Sequence, residues 1–207
     1  MGEEIVSLKE LDKVEFTEHI DASLREDNIS ESCYTNFRDS LVEIIGHTIT
    51  EILEKDGWKL KKFGELTMFS EKDSEKIFNA FLQNSEFTVT LKKKIDEQKY
   101  EFKEVTIKFD FPEEEKKRIV ETYVDNILEG YYYLDICLFA ETEEDINVDT
   151  VSKILSNEVY GLLSPEEIKM KFKDKIEDAI NIIYSNDYGD EDDYGEFDEE
   201  DEKSDEG

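Results

Sequence analysis

The side chains best suited to acid–base, nucleophilic or metal chemistry are few in this sequence. There are two histidines, His19 and His47, and two cysteines, Cys33 and Cys137. Glu43 and Glu51 stand four residues to either side of His47, so on a helix an imidazole and two carboxylates share one face. That is a partial metal site needing a further ligand from elsewhere; without one, His47 is an exposed histidine among acids. The cysteines fit no CxxC or zinc spacing and are expected as free thiols in a reducing compartment. The nine glycines form no GxGxxG or GxxxxGK[ST] phosphate loop and no GxSxG elbow. The acidic run Glu143-Glu144-Asp145 with Asp149 lacks the central glycine of a calcium loop. No enzymatic activity, metal or cofactor is therefore expected.

Binding chemistry is better represented. The 207 residues carry 56 Asp+Glu against 25 Lys+Arg, a formal net charge of −31. Direct binding of duplex nucleic acid needs a cationic surplus to neutralise phosphates, and docking on anionic lipid needs the same, so both are disfavoured. The charge is uneven: residues 1–54 carry −10, 55–118 carry +1, 119–186 carry −10 and 187–207 carry −12. Residues 187–207 have no apolar periodicity, and self-repulsion predicts a disordered acidic tail. The candidate partner-binding carboxylates are Glu141, Glu143, Glu144, Asp145 and Asp149 in the body. The tail adds Asp190, Glu191, Asp192 and Asp193, then Asp198, Glu199, Glu200, Asp201 and Glu202, with Tyr188, Tyr194 and Phe197 as apolar anchors. The leading expectation is a non-enzymatic acidic interaction protein whose partner is a basic protein surface of the kind that holds DNA or RNA. In charge and size the chain resembles DNA-mimic inhibitors, often phage-encoded. That resemblance implies inhibition or regulation of a nucleic-acid-binding protein.

The balanced block supports an alternative. Trp58, Lys59, Lys61 and Lys62, then Lys92, Lys93 and Lys94, then Tyr100 and Phe102 interleave aromatic rings with lysines. On a sheet face such a set stacks bases and follows a single-strand backbone. A basic, aromatic body with an acidic partner-recruiting tail resembles the layout of phage and bacterial single-stranded DNA-binding proteins. Two features depart from it: the sequence closes on Ser204-Asp205-Glu206-Gly207 without a terminal aromatic, and its helices fit an OB barrel poorly. A second alternative is a structural or assembly protein whose acidity only keeps it dispersed.

The elements that must position these residues follow from periodicity. Apolar residues at three- and four-residue steps predict a long helix over 33–56, with Ser30 or Ser32 as cap, Gly57 as left-handed stop and Gly46 as a close approach. Shorter or comparable helices are expected over 71–84, after Pro112, over 149–156 and after the Ser164–Glu167 capping box. Alternation predicts strands at 13–18, 58–69, 87–91 and 100–111, the last two as an antiparallel hairpin. Tyr100 and Phe102 fall on the opposite parity from Val105 and Ile107, which a bulge near Lys103–Glu104 would reconcile. The doubly apolar run 131–141 predicts a central strand. The fold class expected is α+β: one domain over 1–186, with a mostly antiparallel sheet of about five strands and three main helices, followed by the tail. No apolar run long enough to span a membrane and no signal peptide is seen, so a cytoplasmic location is expected.

Overall fold

The structure is a computed structural model, and it describes residues 4–16, 36–64, 68–129 and 146–186, the last four of these through their backbone alone. The elements run β1 (Glu4–Leu8), α1 (Phe37–Leu53), β2 (Trp58–Leu60), α2 (Glu71–Gln83), β3 (Glu86–Lys94), β4 (Tyr100–Phe109), α3 (Glu113–Glu129), α4 (Val148–Glu158) and α5 (Pro165–Asn186). The fold is α+β. Its four strands lie in the order β1-β4-β3-β2, with β1 parallel to β4 and the other two pairings antiparallel. Among the described residues the sheet thus has four strands rather than five; the helices number five, at the five places expected, and the three longest are α1, α3 and α5.

Local chemistry explains most boundaries. Asn36, not a serine, caps α1: its side chain accepts from the Asp39 amide at 3.0 Å. Ser30 and Ser32 lie outside the described residues. Ser70 caps α2, which ends on a left-handed Asn84 (φ 49°). Asn84 then stitches the helix to the chain beyond the hairpin, donating to the Phe111 carbonyl at 2.8 Å and accepting from the Phe111 amide at 3.0 Å. Ser164 and Glu167 form the expected reciprocal cap at the start of α5.

The core lies on one face of the sheet. Phe87, Val89 and Leu91 of β3 and Val105, Ile107 and Phe109 of β4 are buried there, against Phe81 of α2. Burial of each such side chain is worth roughly 1.5–3 kcal/mol. A second aromatic group joins Phe16, Phe37 and Tyr123, with centroids 4.9–6.3 Å apart.

Several strand expectations are corrected. Residues 13–16 are not a strand: Val14 and Phe16 satisfy their alternation by packing on the core. The first strand is instead β1, which the sequence analysis did not identify. The strand expected over 58–69 stops at Leu60. The hairpin register runs without interruption from Glu86↔Lys108 to Lys94↔Tyr100, so there is no bulge at Lys103–Glu104. The expected strand at 131–141 lies outside the described residues, as does the expected tail from 187.

Candidate functional site

The unbroken hairpin register decides which side chains meet. In an antiparallel pair, directly opposed residues point to the same face. Lys92 opposes Phe102, Lys94 opposes Tyr100, and Lys59 of β2 opposes Lys92. These are the positions between the buried ones, so they stand on the face of the sheet that the core leaves open. Tyr100 and Phe102 are 47% and 57% exposed there. Lys61 continues β2, its amide bonding the Thr90 carbonyl at 2.9 Å. Its Nζ lies 5.9 Å from the centre of the Phe102 ring, across β3. Lys108 sits farther along β4 on the same side, and Ile5 of β1 borders it through its pairing with Thr106.

The open face therefore carries Lys59, Lys61, Lys92, Lys94 and Lys108 against Glu86 and Glu104. Lys59 donates to Glu54 at 2.7 Å. Among the described residues no carboxylate pairs with Lys61, Lys92, Lys94 or Lys108. By contrast, the lysines of α3 and α5 all have carboxylate partners. Lys117 pairs with Glu167 at 2.8 Å, Lys171 with Glu121, and Lys175 with Asp125 and Glu129, which lace α3 to α5. The Lys117 ammonium, helped by the Ser164 amide and hydroxyl, holds the Glu167 carboxyl down to about 2. Asp125 and Glu129 raise Lys175 above the usual lysine range.

The lysine–aromatic set expected from the sequence is only partly brought together. Lys59, Lys61, Lys92, Lys94, Tyr100 and Phe102 share the open face. Trp58 and Lys93 oppose one another on the other face, where Lys93 Nζ lies 5.8 Å and Lys103 Nζ 5.0 Å from the Trp58 ring. Lys62 is exposed in the segment after β2. Lys108 and Ile5 were missed; their parity relative to Val105 and Ile107 was the available signal for Lys108, whereas Ile5 depends on a distant pairing.

The carboxylate candidates fare differently. Asp149, in the first turn of α4, is exposed and accepts from Lys169 of α5 at 2.5 Å, which lowers its carboxyl below the usual range. Glu141, Glu143, Glu144 and Asp145 lie outside the described residues, as do Tyr188, Tyr194, Phe197 and all the acids from Asp190 to Glu202. The described residues hold 31 acidic and 23 basic side chains, a net −8, and the remainder hold 25 and 2, a net −23. Most of the excess charge is thus outside the described fold.

His47 is exposed on α1, but Glu43 turns to accept the Met68 amide at 3.2 Å. Among the described residues no three His, Cys, Asp or Glu side chains are placed to hold a metal ion. No described helix is long and apolar enough to cross a membrane. Compared with protein-family models, curated proteins and solved structures, the chain matches none.

Proposed function

We propose that this protein binds single-stranded nucleic acid on the open face of its sheet, as a binding protein rather than an enzyme. The observation that carries the reading is the juxtaposition of Phe102 and Tyr100 with Lys92, Lys94, Lys59 and Lys61 on the face of the sheet away from the core. Exposed rings on a sheet take the faces of unstacked bases, and flanking ammonium groups follow the phosphates between them. Duplex DNA hides its base faces, so the same surface discriminates against it. Stacking tolerates any base, which predicts weak sequence preference.

The test is fluorescence anisotropy of a labelled oligothymidylate of about fifteen nucleotides titrated with the full chain. Saturable binding that weakens about tenfold in the Lys92→Gln, Lys94→Gln double variant, with duplex of the same length binding more weakly, supports the reading. Failure of the oligonucleotide to bind at any salt concentration overturns it.

A second reading keeps one specific support. The net −23 on residues outside the described fold suits a polyanion that attracts a basic, nucleic-acid-holding protein. It predicts that a nucleic-acid-binding protein loses its DNA or RNA to this chain in competition, and that Lys92→Gln with Lys94→Gln leaves that competition unchanged.

A further inference from the structure

We infer that the part of β3 running past the end of β2 pairs with an extended peptide of another protein, one with apolar residues at alternate positions and an acid at its Lys61 end. The inference is independent of the nucleic-acid reading, which concerns the lysines and rings of the sheet face.

Hydrogen-bond directions define this edge. The Phe109 amide donates to the Ser85 carbonyl at 2.9 Å, and antiparallel bonding recurs at every second residue. Odd-numbered residues of β3 therefore bond β4, and even-numbered ones aim their N–H and C=O groups toward β2. Lys61 takes the Thr90 carbonyl at 2.9 Å. Two residues further, the β2–β3 register would bring Phe63 opposite Thr88. Instead the Phe63 amide turns to the Met68 carbonyl at 3.1 Å. Thr88 and Glu86 thus present their outward N–H and C=O groups to no strand or loop among the described residues. Both residues are exposed, so a further strand can reach them.

Beside the edge lies a groove of about 860 Å³ between β3 and α2. Phe87 and Val89 line it from the strand, Ile77 and Ala80 from the helix, and Phe63, 71% exposed, from the segment after β2. A bare edge next to an apolar groove is how sheets take up peptides: main-chain bonds give affinity and alternate side chains give specificity. Running antiparallel to β3, as β2 does, the peptide points its residues opposite Phe87 and Val89 into the groove, where apolar side chains fit. Its residue opposite Thr88 points to the Lys61 side. Lys61 and Lys62 form no ion pair among the described residues, whereas Asp73 of the groove is engaged by Lys76 at 3.3 Å. An acid is therefore favoured opposite Thr88. A second copy is the poorer occupant, because it brings a net charge of −31 against an equal charge, and a peptide with one acid does not.

The experiment uses the full chain and the probe acetyl-Val-Glu-Val-Thr-Val-amide. Its control is the same peptide N-methylated at Glu and Thr, the residues whose amides would face β3. Exchange rates and shifts of the Glu86, Phe87, Thr88 and Val89 amides are followed by NMR. In the chain alone, Thr88 and Glu86 should exchange about a hundredfold faster than Phe87 and Val89, which bond β4. The probe should shift these amides saturably and slow Thr88, and the control should bind about tenfold more weakly. Thr88→Pro removes only an outward donor, so it should keep the fold and lose about tenfold in probe affinity. Unmoved shifts overturn the inference, and so does equal binding of the N-methylated control. Slow exchange of Thr88 and Glu86 without peptide also overturns it: in favour of another segment of this chain where the protection survives about tenfold dilution, and of a second copy where it does not. None of these results touches oligothymidylate binding, so the nucleic-acid reading stands or falls apart from them.

Discussion

Gly46 and Phe102 show how much a single position decides in this molecule. Gly46 lies in the middle of α1, where alanine ordinarily gains about 1 kcal/mol of helix stability. A Cβ there would stand 2.2 Å from Met68 Sδ and 2.8 Å from Phe69 Cε2. Overpacking of that kind costs about 1–3 kcal/mol and wins, so Gly46→Ala is expected to lower the urea midpoint with an unchanged slope. A higher midpoint would mean that the Met68 side chain yields freely. Phe102 gives the opposite pattern. It is 57% exposed and touches Lys61 rather than the core, so Phe102→Ala should leave stability within about 0.5 kcal/mol. It should nonetheless weaken oligothymidylate binding by the stacking contribution of a base, about 1–3 kcal/mol. Met170→Ala is the control: that side chain is 82% exposed on α5, away from the sheet, and its removal should change neither quantity. Equal loss of affinity in both variants would remove Phe102 from the binding surface.

At the scale of elements, α5 is held by a start that titrates. Glu167 closes the cap on Ser164 and reaches across to Lys117 of α3, and these partners hold its carboxyl at about 2 against an ordinary 4.5. A carboxylate depressed in the folded state stabilises fully above its unfolded value and loses that contribution as pH falls through the folded one. Thermal unfolding followed from neutral pH downward should therefore show Tm declining between about 4.5 and about 2. Glu167→Gln should lower Tm at neutral pH and flatten that decline; a variant profile parallel to the wild type would assign the acid sensitivity elsewhere, to Glu54 or Glu115 for example. That cap was legible in the sequence because it is local: Ser164 and Glu167 are three residues apart. The β3–β4 hairpin was legible for the same reason. β1 was not, since its partners in β4 lie a hundred positions away and Ile5 breaks the apolar alternation by facing out. The alternation at Val14 and Phe16 gave the opposite error, because burial against Tyr123 rewards the same pattern that a strand would. The candidate face was half visible. Tyr100 and Phe102 stood out of phase with Val105 and Ile107, and a bulge would have tucked them into the core. Only the continuous register turns that phase difference into two exposed rings, and puts Trp58 on the other side from Lys92.

Across the whole molecule, a cationic face must work inside a strongly anionic field, and the two differ in range. The lysines act at contact distance, whereas the −31 acts over the Debye length, about 30 Å at 0.01 M salt and about 10 Å at 0.1 M. An ordinary single-strand binder loses affinity steadily as salt rises, with a slope near −0.7 per phosphate contacted. Four lysines at contact give a slope of about −3 in the upper range. Below about 0.1 M, however, the net charge repels the oligonucleotide from a distance. That repulsion weakens as salt is added. Oligothymidylate affinity should therefore rise from about 0.01 M to about 0.1 M salt and only then fall. Neutralising the acids of 187–207 should move the maximum to lower salt. Lys92→Gln with Lys94→Gln should make the falling limb shallower by about 1.4 in slope, the share of two phosphate contacts. A steady fall from the lowest salt in the wild-type chain would mean that the acidic residues stand too far from the face to act on it, and would leave the lysines alone in control of binding.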